Sequence, residues 1–249
     1  MYRFILIFIL AFTSLFGAPL DTLFKLGGVR NAEEAQETWI QKGDRWTFQN
    51  RYENKREEIL DTLSAMGWFE AKHASKTHYQ YGVVLGSLYA SVQRRMHYLV
   101  EEWNRGVRFD TIVFLTGQRP LHPTKEKQFK GTETTMMLQT WDETEMPKAL
   151  RDLPLIVVDA PPLPERGRPT TESTIYAWLE QKPDPGSSLF FSNQPYVNYQ
   201  QVVIQSLLPR SFKVETVGPK GGENLPTSVL LDNVGKWLYW KNISLNRSS

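Results

Sequence analysis

Tyr79-Gln80-Tyr81-Gly82-Val83-Val84-Leu85-Gly86 is a short apolar run that ends in glycine, and a helix-compatible stretch over residues 88 to about 104 follows it. An apolar run of this length without sustained polar alternation is typical of a strand that is buried on both faces of a parallel sheet. The pair therefore predicts the first strand and the first crossover helix of an α/β domain.

The same unit recurs along the chain. Further strands are predicted at residues 111–116, 155–159, 188–192 and 212–217, and the helical patterns that follow them lie near residues 132–140, 171–181, 199–208 and 226–239. Strands that alternate with helices form a parallel sheet with helices on both faces. The sequence predicts a doubly wound, mostly parallel, Rossmann-like domain of about five strands over residues 78–240.

The chain outside this domain is predicted to have three parts. Residues 19–77 carry a helical pattern and form an N-terminal helical extension, and residues 241–249 form a flexible tail. Residues 1–18 place Arg3 before an apolar run that ends at Gly17 and Ala18, which is the layout of a secretory signal. Because neither cleavage position gives the small-x-small pattern, a cleaved signal and a retained anchor near a membrane both stay open. The protein is expected to be exported, whether periplasmic, in the cell envelope or secreted.

The composition excludes several classes of function. The chain has no cysteine, which excludes disulfides, a thiolate nucleophile and cysteine-ligated metal sites. Its 29 Lys and Arg against 27 Asp and Glu give a net charge of +2, and no basic run tracks a phosphate backbone, so nucleic acid is not an expected partner. The four histidines lack metal-ligand spacing, so no metal site is predicted.

Common nucleotide and hydrolase motifs are also absent from the sequence. Gly86 lacks the G-x-G-x-x-G continuation of a dinucleotide fold, and the chain has neither a G-x-x-x-x-G-K-[ST] run nor a G-x-S-x-G elbow. These absences disfavour a dinucleotide cofactor, P-loop hydrolysis and α/β-hydrolase chemistry.

Polar residues follow the predicted strands at their carboxyl ends, where ligands bind in open α/β sheets. Backbone N–H groups at helix N-termini favour an oxyanion there, and an arginine adds a bidentate fork. The candidate ligand-binding residues are Gly86, Ser87, Arg94 (or Arg95 on the same helix), Thr116, Gly117, Gln118, Arg119, Thr170, Thr171, Ser192, Asn193, Gln194 and Tyr196. Hydroxyl residues that precede a helix are also ordinary N-caps, so Thr170 and Thr171 have a second interpretation.

Two carboxylates are candidates for catalysis. Glu133 and Asp159 follow predicted strand ends and could act as a general base, although Glu133 is as well explained as a favourable partner of a helix dipole. The expected function is binding of a small anionic or nucleotide-like ligand, with an envelope enzyme acting on a phosphorylated or activated substrate as one extension. The alternative is a non-catalytic envelope or cell-surface protein with a sensing, carrying or vestigial pocket. Whether the protein is an enzyme stays open.

The order of these short pieces resembles a known family. The pieces are Val83-Val84-Leu85-Gly86, Arg94 or Arg95, Val113-Phe114-Leu115-Thr116-Gly117, Thr132-Glu133-Thr134, Arg168-Pro169-Thr170-Thr171 with Thr174, and Phe190-Phe191-Ser192-Asn193. In this order, over about 78 to 218, they resemble the YdcF/SanA/ElyC-like family of bacterial envelope-associated Rossmann-like proteins. The resemblance implies a Rossmann-like fold and a role in the cell envelope, and it makes S-adenosylmethionine a candidate cofactor.

One departure from the family pattern affects the expected site. Family members usually place a His and an Arg after the fourth strand, where this chain has Gln194-Pro195-Tyr196-Val197-Asn198-Tyr199-Gln200. If Tyr196 and Tyr199 take those places, the proton transfer or anion contact made by the usual pair is altered or lost.

Overall fold

The computed structural model describes residues 17–42 and 51–246, and the chain divides into two compact units. One unit spans Ala71–Lys220, and the other takes the described residues before and after that range. The predicted signal segment lies outside the described residues except for Gly17 and Ala18, which are helical. Among the described helices, none combines the length and the apolar composition that crossing a bilayer requires.

The described residues before residue 71 contain three α-helices and one 3-10 turn. Residues 17–26 form α1, and α2 (Ala32–Trp39) is followed by a 3-10 turn and α3 (Arg56–Ala65). Helix α2 begins at Asn31, whose side-chain oxygen accepts a hydrogen bond from Glu34 N at 3.0 Å. This bond satisfies one of the N–H groups that a helix start leaves without a partner.

Five strands form the sheet of the α/β unit. They are β1 (His78–Leu85), β2 (Arg108–Gly117), β3 (Leu155–Ala160), β4 (Ser187–Phe191) and β5 (Lys213–Val217). Every pairing is parallel, and the order across the sheet is β3-β2-β1-β4-β5. The structure confirms the predicted α/β class and the five-stranded Rossmann-like sheet.

The helices of this unit pack on both faces of the sheet. They are α4 (Tyr89–Asn104), α5 (Glu133–Glu143), α6 (Lys148–Arg151), α7 (Thr171–Glu180) and α8 (Val197–Leu207). Helices α4 and α5 contact each other, and α7 contacts α8. The connections from β1 to β3 thus run over one face, and those from β3 to β5 run over the other. This change of face makes the sheet doubly wound and creates the switch between β1 and β4.

The last helix, α9 (Thr227–Asn246), belongs to the helical unit and not to the α/β unit. The sequence predicts that the α/β domain continues to residue 240 and that a tail follows. The difference arises because Leu230, Leu231 and Val234 are fully buried in an apolar cluster with residues of α1, α2 and α3. Packing of that face also carries the helix through residues 241–246, while residues 247–249 lie outside the described chain.

The α/β unit begins and ends at neighbouring positions. Lys72 N donates to Gly218 O at 2.9 Å, and Gly218 N donates to Lys72 O at 3.1 Å. This antiparallel bridge joins the segment before β1 to the segment after β5. The two ends of the unit are therefore tied together by backbone hydrogen bonds.

Replacement of Phe114 by alanine is expected to destabilise the α/β unit by about 4 kcal/mol, because a cavity would replace a large side chain in the centre of the sheet. Phe114 is fully buried, and its ring meets that of Trp141 edge-on with centroids 5.4 Å apart. Urea unfolding followed by tryptophan fluorescence measures the change. Tyr176→Ala is the control, because Tyr176 is 45% exposed and such surface changes cost under about 0.5 kcal/mol. An equal loss in both variants would contradict this account of the core.

Candidate functional site

The strand order leaves a gap at the carboxyl ends of β1 and β4, and we call this gap the crevice. β1 and β4 are neighbours in the sheet, and the chain leaves them toward opposite faces. Gly86 follows β1, and its N–H donates to Leu115 O at 2.7 Å. Ser192 follows β4, and its N–H donates to Val217 O at 2.8 Å. Ligands of open α/β sheets bind at such a point, because the diverging connections leave room there.

Two glycines at the strand ends allow close approach of other groups. A side chain on Gly86 would collide with the carboxylate of Glu133. A Cβ on Gly117 would lie 2.5 Å from the carbonyl oxygen of Ala160 and 2.5 Å from the ring of Pro169. Glycine at these two positions lets Glu133 reach the end of β1 and lets the loop after β3 pack onto the end of β2.

Arg119 lies at the centre of a buried network and donates five hydrogen bonds. Nε donates to Glu133 Oε2 at 2.9 Å, and Nη1 donates to Pro120 O and Glu126 Oε2, both at 2.9 Å. Nη2 donates to Ser87 O at 3.1 Å and to Glu126 Oε1 at 3.0 Å. A guanidinium has five N–H donors, so no donor of Arg119 is left over for a ligand. Arg119, a candidate for anion binding from the sequence, thus joins three segments of the protein in this structure.

Glu126 completes this network, although the sequence does not single it out. Its carboxylate takes the bidentate contact from Arg119 and also accepts from His122 N at 2.6 Å and Tyr89 N at 3.0 Å. Burial acts to raise the pKa of Glu126, but the hydrogen bonds from Arg119, His122 and Tyr89 outweigh it and hold the pKa below the ordinary 4.5. Glu126 is 1% exposed. From the sequence, the neighbouring Lys125 and Lys127 instead favour a solvent-exposed segment.

Of the two adjacent arginines on α4, Arg95 and not Arg94 points toward the crevice. Arg94 is exposed and donates to Lys220 O at 2.9 Å. Arg95 is 5% exposed, and its Nη1 donates to Leu85 O at 2.6 Å and Gly86 O at 2.8 Å. The helical period distinguishes them, because a residue three positions after Val92 shares its buried face. The spacing from Val92 to Arg95 is visible in the sequence.

The electrostatic environment of Arg95 is set by burial. Burial lowers the pKa of Arg95 to about 10, and the nearby Glu133 carboxylate and Tyr196 phenol act against this shift. Within the described residues, the buried Nε of Arg95 has no hydrogen-bond acceptor. A buried charged donor without an acceptor in the protein is rare, and water or an ion can provide the acceptor.

The two carboxylates proposed as bases are both engaged. Glu133, at the start of α5, is paired with Arg119. Asp159 is exposed at the end of the edge strand β3, where Oδ1 accepts from Thr134 Oγ1 at 2.5 Å and Oδ2 accepts from Gln118 Nε2 at 3.2 Å. Thr116 Oγ1 lies 3.4 Å from Thr134 Oγ1. Thr116, Gln118 and Asp159 therefore form one hydrogen-bonded group beside the end of β2.

The segment after β4 supplies buried polar groups. Ser192, Asn193 and Gln194 are 0%, 3% and 4% exposed, and Asn193 Nδ2 donates to Ser91 O on α4 at 3.2 Å. Ser192 Oγ and Asn193 Oδ1 are buried without a hydrogen-bond partner in the described part of the chain. A cis peptide bond links Gln194 to Pro195.

The loop after β3 contains a cap and an arginine. Thr170 caps α7, since its hydroxyl accepts from Ser173 N at 3.2 Å, and Thr171 is the first residue of that helix. The N-cap interpretation thus accounts for Thr170. Arg168, two residues earlier, is half-buried.

Arg168 has no carboxylate partner among the residues that the structure describes. Its one side-chain hydrogen bond is a 3.5 Å contact from Nη1 to Pro169 O. Burial lowers its pKa, and the positive charges of Arg166 and Arg119 lower it further against the opposing effects of Glu133 and Tyr199. This pattern places the guanidinium near Arg119, Glu133 and α8. The sequence drew attention to Arg168 only through the family resemblance.

The rest of the described surface offers weaker candidates. The described residues contain no group of three or more His, Cys, Asp or Glu side chains that could hold a metal ion. A shallow groove of about 300 Å³ lies between the end of α8 and the start of β5. It is at the opposite end of β5 from the crevice, and we assign no ligand to it because it lacks buried polar groups.

Comparison of the chain with protein-family models, curated proteins and solved structures finds no match in any of the three. The resemblance to the YdcF/SanA/ElyC-like family therefore stays a prediction. Any function must be argued from the residues at the crevice themselves.

Glu126→Gln is expected to lower the free energy of unfolding at pH 7 by about 3 kcal/mol, because Arg119 would lose the charge of its buried partner. The lowered pKa of Glu126 means that its contribution is complete above pH 4.5 and is lost as the pH falls through the folded-state pKa. Wild type and variant should therefore converge in stability as the pH falls below the folded-state pKa of Glu126. Urea unfolding at a series of pH values measures the gap, and a gap that is independent of pH would contradict the assignment.

Proposed function

We propose that the α/β unit binds a small anionic ligand at the crevice. Two arginines support this function: neither Arg95 nor Arg168 forms an ion pair with a carboxylate within the described chain. Arg119, by contrast, is paired with Glu126 and Glu133. These three arginines and two glutamates together carry one net positive charge.

The single observation that carries the proposal is that two buried or half-buried guanidinium groups form no ion pair of their own, although the Glu133 carboxylate acts on both from beyond ion-pair distance. Removing a cation from water is unfavourable unless an anion or hydrogen-bond acceptors replace the water. A ligand carboxylate or phosphate would provide that compensation, and arginine suits both because its N–H groups form a planar fork. Buried hydroxyl and amide groups of Ser192 and Asn193 would add neutral contacts beside it.

Binding without catalysis is the form of this function that the contacts favour. A general base needs a carboxylate that can take a proton from a substrate. The Glu133 carboxylate is held by Arg119, and both oxygens of Asp159 accept hydrogen bonds from neighbouring side chains. We therefore propose a pocket that senses or carries its ligand, with Glu133 and Arg119 as parts of its frame.

Arg168→Met is expected to weaken anion binding by about tenfold to a hundredfold, because a charge-assisted hydrogen bond contributes about 1.5–3 kcal/mol. The measurement is a thermal-shift and calorimetric titration of the full chain with inorganic phosphate, sugar phosphates, nucleotides, S-adenosylmethionine and a polyprenyl phosphate analogue. A ligand that binds only the folded protein raises its unfolding temperature.

The matched control is Arg166→Met, which removes the same charge from an exposed side chain two positions away. It should bind the anion nearly as wild type does. Equal weakening in the two variants would mean that only net charge matters, and the absence of binding across the whole panel would refute the proposed function.

We also propose that the protein is exported, on the strength of the apolar segment over residues 4–16. Residues 1–30 fused to a reporter that is active only outside the cytoplasm should give an active reporter. Replacement of both Ile7 and Leu10 by arginine should retain the fusion inside the cell, because charges interrupt the apolar segment. Activity that is unchanged by these two arginines would contradict export by this segment.

A further inference from the structure

The two helices that start at the crevice have different N-termini. The first N–H of α4, at Tyr89, donates to the buried carboxylate of Glu126 at 3.0 Å. Helix α8 begins at Val197, and its N-cap residue Tyr196 makes no side-chain capping bond. In the described chain, the N–H groups of Val197 and Asn198 have no acceptor. The partial positive charge of α4 is thus already offset by a carboxylate of the protein, whereas that of α8 is not.

The occupied terminus is the one that follows the first strand. In Rossmann-like nucleotide-binding proteins, the pyrophosphate sits on the helix that follows this strand. Here the carboxylate of Glu126 is fixed at that position by two hydrogen bonds from Arg119. A ligand phosphate placed against the N-terminus of α4 would meet this negative charge at close range. The Glu126 carboxylate therefore occupies the position at the N-terminus of α4 where the pyrophosphate of a dinucleotide would bind.

A second observation, of buried polar atoms without a hydrogen-bond partner, also points to a ligand position near α8. Arg95 is 5% exposed, its Nε is buried without an acceptor among the described residues, and it interacts electrostatically with Tyr196, the N-cap of α8. The buried Ser192 Oγ, four residues before Tyr196, likewise lacks a partner in the part of the chain that is described. Three elements thus bring unused donors together: α4 through Arg95, the end of β4 through Ser192, and α8 through its backbone.

We infer that the anionic group of the ligand is a phosphomonoester, bound between Arg95 and the first N–H groups of α8, and that Glu126 excludes dinucleotides. This inference rests on the proposed function. A terminal phosphate has three oxygens and can accept from several directions, which fits the guanidinium, hydroxyl and backbone donors better than a planar carboxylate does. A phosphomonoester group could belong to a sugar phosphate or to the headgroup of a lipid phosphate.

The test uses two substitutions of one residue. Asn198→Asp adds a carboxylate of the same shape to the first turn of α8, where negative charge stabilises a helix but repels a bound phosphate. Asn198→Ala keeps the backbone N–H and adds no charge. The probes are glycerol phosphate as the phosphomonoester, a short lipid phosphate and NAD as the dinucleotide, titrated by calorimetry into the full chain.

We expect wild type and Asn198→Ala to bind glycerol phosphate alike, and Asn198→Asp to bind it at least about tenfold more weakly while unfolding at an equal or higher temperature. The backbone amide signals of residues 197 and 198 should shift on titration in nuclear magnetic resonance spectra, and that of Tyr89 should not. Much tighter binding of the lipid phosphate would identify the lipid as the source of the same group.

Each contrary result has a distinct meaning. Equal binding by Asn198→Asp and Asn198→Ala would overturn the inference, and the proposed function would survive with its anion elsewhere in the crevice. Binding of S-adenosylmethionine, which carries a carboxylate and no phosphate, without binding of any phosphomonoester would also overturn it. Tighter binding of NAD than of glycerol phosphate would refute exclusion by Glu126. If no anion of either panel bound, the proposed function itself would fail.

Discussion

The bidentate contact of Arg119 with Glu126 is the interaction on which the carboxyl end of the sheet depends. Through it and through Glu133, one side chain joins the loop after β2 to the beginnings of α4 and α5. Buried ion pairs tolerate little rearrangement, because a separated partner becomes an unpaired charge away from water. The loop from residue 118 to residue 132, which has no strand or α-helix of its own, is held in place in this way.

This internal pairing also determines which arginines at the crevice form ion pairs. Arg119 and the two glutamates together carry one net negative charge, and Arg95 and Arg168 bring the five residues to one net positive charge. A count of charged residues at the strand ends would give the wrong picture, since it treats all arginines alike. The hydrogen-bond geometry separates Arg119, which is paired within the protein, from Arg95 and Arg168, which form no ion pair of their own.

The sequence alone predicts the strands closely, since an apolar run between turn residues is a local signal. The predicted strand at residues 155–159 and the observed Leu155–Ala160 differ by one residue. The partner of α9 could not be predicted in the same way, because its apolar face suits either a sheet or a helical bundle. The burial of Glu126 is harder still to predict from the sequence. It depends on Arg119 and on the N-terminus of α4, which only the folded chain brings together. The roles of Arg94 and Arg95, by contrast, follow from helical periodicity.

The backbone bridge between Lys72 and Gly218 has a consequence for how the chain is organised. A unit whose two ends lie close together can be inserted within another domain, because the host domain is interrupted at only one position of its chain. In the helical unit, the residues on either side of that gap are also close, with Gly221 N donating to Phe69 O at 2.9 Å. A short linker could therefore replace residues 71–220, and each half could be produced as a separate module. The α/β unit could therefore be transferred to another host, and joining its own termini would yield a circular permutant with new ends in an exposed loop.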